Sequence, residues 1–243
     1  MNRRELLASW GLLLAGASVS ALTPRQAMAA GADAQRLMNS LQACTPADAL
    51  TRLQEGNRRF AKAWVSASGT PRQRMNALKA IWDDNCQIDP AALAQGQKPF
   101  AAILSCADAR VDPSWIFASG SGELFQVRSA GNTAFNEAIA SMEYAVSVLG
   151  TPLLLVMGHS ACGAVKAAIA SNPLTPLLEE LVQPIRASIK PGEGLEAVIK
   201  GNVRAAASTM VRNSAVLRGA VDGGRLTIRG AYFDIGSGQV SWL

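Results

Sequence analysis

Residues 99–110 read PFAAILSCADAR and residues 152–165 read PLLLVMGHSACGAV. Each is a short apolar run closed by a turn that carries cysteine. The runs Phe100 to Ser105 and Leu153 to Met157 are continuous in apolarity and do not alternate, the pattern of a strand covered on both faces of a parallel sheet. Leu124 to Val127 (LFQV) and Arg225 to Phe233 (RLTIRGAYF) have the same character. Stretches of helical periodicity at 136–149, 164–170 and 202–216 accompany them. This alternation predicts an α/β fold with a mostly parallel central sheet flanked by helices. After the turn DIGSG at 234–238, QVSWL predicts a short antiparallel terminal strand. Upstream, residues 46–65 place Leu50, Leu53, Phe60 and Trp64 near helical spacing, with Thr45 or Asp48 as caps. A loop (SASGTPRQRM) and a short helix over 74–82 follow. The expected organisation is an N-terminal helical arm over 30–95 and an α/β core over 96–243.

The chain has 243 residues, 49% hydrophobic and 17% charged, which favours one folded globular domain. Its formal net charge of +5 is scattered, with no run of five or six like charges. The charge therefore reads as a solvated surface, and no nucleic-acid partner is expected. Residues 1–29 read as a cleavable export signal: Arg3-Arg4, an apolar stretch from Leu6 to Leu22, and the cleavage pattern Ala27-Met28-Ala29. The arginine pair suggests the twin-arginine route. A Sec signal, an uncleaved anchor and an organelle transit peptide are the competing readings. Past this segment no apolar run reaches the roughly 18 to 20 residues that a membrane helix needs, so no membrane partner is expected after cleavage. The expected location is periplasmic or otherwise exported.

The chain contains a single histidine, His159, and four cysteines, Cys44, Cys86, Cys106 and Cys162. One imidazole excludes any two-histidine metal site within a subunit. Cys106, Asp108 and Arg110 follow one apolar run, and His159 and Cys162 follow another. In a parallel α/β sheet ligands bind outside the carboxyl ends of the strands, so these loops can meet in one crevice. Two thiolates and one imidazole suit tetrahedral Zn²⁺ with an exchangeable fourth position. Spacing alone leaves alternatives: small core cysteines, a cysteine nucleophile with His159 as its base, or an Asp108–Arg110 surface ion pair of little worth. Cys44 and Cys86 stand outside this pattern. They read either as a disulfide, if the chain is exported, or as two independent buried thiols.

Five separated motifs occur in order: LxxGNxRF at 53–60, CADAR at 106–110, GELFQVRSAGN at 122–132, MGHSACGAV at 157–165 and GAYFDxxxGxV at 230–240. From about residue 46 onward the chain resembles the β-class carbonic anhydrases. That resemblance implies Cys106, His159 and Cys162 as zinc ligands with water in the fourth position, and reversible hydration of carbon dioxide to bicarbonate and a proton. It implies that Asp108 orients the reacting water while Arg110 holds Asp108, which in some members becomes the fourth ligand in a closed form. Gln97 matches a glutamine that hydrogen-bonds substrate, and Phe125, Ala130 and Tyr144 match an apolar pocket in which Ala130 replaces a commoner valine. Members with a closed, bicarbonate-regulated site carry tryptophan three residues before the first cysteine. Here that residue is Ile103, which points to an open site. Arg128 matches an arginine involved in that regulation but shared more widely. The resemblance further implies a homodimer or homotetramer embraced by amino-terminal helices. Hydrolysis of carbonyl sulfide or carbon disulfide, or a catalytically silent role, are the alternatives.

Overall fold

The computed structural model describes residues 24–243 except 67, 68, 83–85, 87 and 171, with side chains from residue 32 onward. In chain order the elements are α1 (Pro24–Ala43), α2 (Ala49–Ser66), α3 (Pro71–Lys79), α4 (Pro90–Gln95), β1 (Ala101–Cys106), α5 (Pro113–Ile116), β2 (Leu124–Ser129), α6 (Asn136–Ser147), β3 (Leu153–His159), α7 (Gly163–Ile169), α8 (Pro176–Arg186), α9 (Leu195–Asn213), α10 (Ala215–Asp222), β4 (Thr227–Phe233) and β5 (Val240–Trp242). Most of the expected export signal lies outside the described residues; positions 24–29 belong to the first turns of α1.

One five-stranded sheet, ordered β2-β1-β3-β4-β5, carries the fold. The first four strands are parallel and β5 is antiparallel to β4, so the expected sheet and its terminal reversal are both present. Every residue of β1 and β3 is buried, because helices cover both faces. One face packs Ala102, Leu104, Leu154 and Val156 against α6, α10 and the second half of α9. The other packs Ile103, Leu155 and Met157 against α2, α7, α8 and residues 111–118, which include α5. Burial of Leu53 and Phe60 by α2 contributes on the order of 1.5–3 kcal/mol per side chain.

Residues 37–243 form one compact unit. Of the expected arm, α2 lies on the sheet of its own chain. Its Gly56 is required by close approach, since a Cβ there would lie 1.9 Å from the Phe117 carbonyl oxygen. The helix expected from residue 74 starts at Pro71: Thr70 caps the Gln73 N–H and the Gln73 side chain accepts from the Thr70 N–H, a reciprocal capping box. The helix expected over 202–216 starts earlier and is broken at Ser214, whose extended backbone ends α9 and whose side chain accepts from Leu217 N at 2.9 Å to open α10.

Cys44 and Cys86 are disulfide-bonded, with Cα atoms 5.4 Å apart. The reading as two independent buried thiols is corrected by this bond. Closing a loop with a sequence separation of 42 residues removes on the order of 4 kcal/mol of chain entropy from the unfolded state. Thiol titration of the unfolded, unreduced protein should therefore find only Cys106 and Cys162 free, and reduction should lower Tm; four free thiols would contradict the pairing.

Candidate metal centre

The parallel pairing of β1 with β3, in register Ser105 with Met157, sets Cys106 beside the end of β3, where His159 is the last residue. Cys162 stands three residues after His159, at the N-cap position of α7. Side-chain donor atoms of Cys106, His159 and Cys162 all lie within 4.8 Å of one another, and all three residues are buried. The two sulfurs are 4.0 Å apart. Two sulfurs about 2.3 Å from one tetrahedral Zn²⁺ sit about 3.8 Å apart, so the pair is already near that span.

His159 is oriented by its own turn. Nδ1 lies 2.9 Å from the Ser160 carbonyl oxygen, which can only accept, so Nδ1 carries the proton. Nε2 is then a lone-pair nitrogen, and it is buried with no hydrogen-bond partner among the described residues. Leaving a buried polar atom unpaired costs about 1–3 kcal/mol, and a cation shared with the two sulfurs removes that cost. The donor set of two sulfurs and one imidazole nitrogen fits zinc, and three protein donors leave a position for water, the pattern of catalytic sites. The turn itself is strained: Ala161 has φ 55°, at about 1–2 kcal/mol for an L-residue.

The two sulfurs lie within hydrogen-bond reach of each other, and this contact, with the Gly131 N–H donating to Cys106 Sγ at 3.3 Å, favours the thiolate of Cys106 and lowers its pKa despite burial. The same contact together with burial pushes Cys162 up. Gly131 can approach because it has no side chain: at its φ of 72° a Cβ would lie 2.6 Å from Ile185 Cδ1. Its carbonyl accepts from the buried Asn202 side chain at 2.8 Å.

Asp108 is held beside the cluster and is not one of its three members. Its Oδ1 accepts from the Arg110 backbone N–H and Nε, both at 2.9 Å, and its Oδ2 from Arg110 Nη2 at 2.6 Å. This fork keeps the carboxyl well below the usual carboxylate range. Oδ2 lies 3.8 Å from His159 Nε2, so an acceptor faces the same space as the orphaned nitrogen. Arg128 clamps the loop from beneath, donating to the Cys106 carbonyl at 3.1 Å and the Asp108 carbonyl at 2.7 Å. That role went unread in the sequence, although Arg128 sits in the same GELFQVRSAGN run.

The expected pocket residues are dispersed within one chain. Ala130 directly follows Ser129, the register partner of Cys106, and so adjoins the cluster. Phe125 pairs with Ala102, four residues and roughly 13 Å back along the strands. Its ring lies 6.2 Å from that of Tyr144, which is 46% exposed. Gln97 is exposed in the segment between α4 and β1.

A sequence profile of the carbonic anhydrases matches residues 101–240. Carbonic anhydrase 2 of Mycobacterium tuberculosis is 35% identical over 204 residues, spanning 80% of this chain and 91% of that protein. The chain belongs to the carbonic anhydrase family. A carbonic anhydrase of Mycolicibacterium smegmatis is 30% identical over 205 residues, covering 80% of this chain and 92% of its own length. Solved structures give the class. A Coccomyxa β-carbonic anhydrase in complex with acetazolamide matches with TM-score 0.57 and 25% identity over 82% of this chain and 87% of that one. A tetrameric β-carbonic anhydrase of Sordaria macrospora matches with TM-score 0.58 and 26% identity over 63% and 84%. The β-carbonic anhydrase reaction is zinc-dependent reversible hydration of carbon dioxide, so the enzyme is a carbonate hydro-lyase.

Arg128→Ala, which removes both backbone clamps, should weaken zinc retention roughly 10- to 100-fold against a competing chelator, and unchanged retention would remove Arg128 from the site.

Proposed function

We propose that Cys106, His159 and Cys162 hold the zinc ion and that Asp108 and Arg110 prepare water for attack on carbon dioxide. The observation that carries this is the buried, unpartnered His159 Nε2 aimed among two sulfurs, with an ionised carboxylate 3.8 Å away. Zinc held there supplies a Lewis acid that lowers the pKa of water from about 15.7 towards roughly 7. Asp108 Oδ2 accepts a hydrogen bond from the reacting water and so turns a lone pair of its oxygen towards the substrate carbon. Arg110 keeps that carboxylate ionised and in place by its bidentate fork, which also supports the open reading: the oxygens that would close onto the metal are engaged elsewhere. Bicarbonate and one proton are the products. The only imidazole is spent as a ligand, so the proton leaves by way of water and buffer.

Gln97, Phe125, Ala130 and Tyr144 form the carbon dioxide pocket across an interface between two copies of the chain. The roughly 13 Å separation of Phe125 from Cys106 and the exposure of Tyr144 support this reading, as does the tetrameric assembly of the Sordaria macrospora relatives. Export to an oxidising compartment accords with the Cys44–Cys86 disulfide.

Asp108→Asn should keep zinc yet lose about 100-fold or more in kcat by stopped-flow carbon dioxide hydration, whereas Cys162→Ser should lose the metal. Equal metal loss in both would reverse these roles. Turnover of the unaltered enzyme should rise with buffer concentration, and a rate independent of buffer would require a proton carrier among the protein's own side chains.

A further inference from the structure

The motif LxxGNxRF at 53–60 plays no part in the chemistry above, yet Asn57 is the one buried polar residue of α2. It is spent on the chain's far end. Its Nδ2 donates to the Gly238 carbonyl at 2.9 Å and to the Ile116 carbonyl at 3.3 Å, and its Oδ1 accepts from the Val240 N–H at 2.9 Å. Two turns further along the same helix, Trp64 Nε1 donates to the Ile235 carbonyl at 2.9 Å. The 234–240 turn so held is braced internally, with Asp234 Oδ2 accepting from the Ser237 N–H and hydroxyl at 3.0 and 2.7 Å. Two bonds tie Ser160 to this region: its N–H donates to the carbonyl of Phe233, the last residue of β4, at 2.8 Å, and from the turn itself the Ile235 N–H donates to Ser160 Oγ at 2.9 Å. Ser160 is the residue whose carbonyl accepts from His159 Nδ1. Beside it stands Ala161 in the left-handed region, so the 159–162 turn relaxes unless something outside holds it.

We propose that Asn57 is a positioning residue for His159, acting through the 234–240 turn and the Ser160 carbonyl to fix which imidazole nitrogen faces the two cysteines. The proposal rests on the zinc reading above and assigns the arm motif a task inside its own subunit. Groups that orient a metal-bound histidine commonly govern metal affinity by 10- to 100-fold.

The test uses the zinc-loaded full chain and exploits its single histidine, since every imidazole signal in a ¹⁵N spectrum belongs to His159. Asn57→Ala should speed zinc loss to excess chelator by about tenfold or more and speed solvent exchange of the Nδ1 proton. Trp64→Phe, a milder change at a partly exposed site, should shift both in the same direction even if Asn57→Ala folds poorly. Leu217→Ala, in the core on the opposite face of the sheet, should lower Tm without changing either readout. Zinc loss and Nδ1–H exchange at the unaltered rate in Asn57→Ala and Trp64→Phe would overturn the proposal, as would an equal effect of Leu217→Ala. If the unaltered chain holds no zinc, the metal reading fails by itself, and Nδ1–H exchange in the variants still decides the relay.

Discussion

The parallel pairing of β1 with β3 is the constraint on which the site depends. It brings Cys106 beside His159 across more than fifty residues of sequence, and no local turn could do so. Because both strands are buried on both faces, their register is fixed by packing, and a slip of one residue would turn the Cys106 side chain away from its partners. The loops beyond the strand ends are then free to carry polar chemistry on a rigid base.

On that base the centre is assembled by backbone groups as much as by side chains. The Ser160 carbonyl sets the proton on Nδ1, the Gly131 N–H meets the Cys106 sulfur, and Arg128 binds the carbonyls of Cys106 and Asp108. Donor orientation is thereby settled by the fold, leaving Nε2 without a hydrogen-bond partner among the described residues. Asp108 and Arg110 are the reverse case: their fork is made locally, between side chains two residues apart, and it remains partly exposed to solvent.

Much of this was legible in the residues. The runs FAAILS and LLLVM are apolar without alternation because helices cover both faces, so their strands could be read directly, although β1 and β3 run on to include Cys106 and His159 as their last residues. Less legible were features that depend on tertiary partners. Ser214 breaks a continuous helical pattern by turning its hydroxyl to Leu217 N, and α8 carries Pro184 in its interior, which obscures its periodicity. Ala161 adopts a left-handed conformation that an alanine does not advertise. The backbone clamp of Arg128 and the contacts of Asn57 with residues 238 and 240 also needed three dimensions. The capping box of Thr70 and Gln73 is written in the sequence as T-P-x-Q, but the small and turn-forming residues around it read as a loop, which sets the expected helix start three residues late.

The central claim is that one metal ion occupies the space among Cys106 Sγ, Cys162 Sγ and His159 Nε2. Anomalous diffraction from crystals of the purified protein, recorded on both sides of the zinc edge, tests it most directly. The account predicts one strong zinc peak per chain bounded by those three atoms, with the Asp108 carboxylate still forked to Arg110. A peak at any other position, ligation through Nδ1, or a zinc-free cluster in protein active towards carbon dioxide would contradict it.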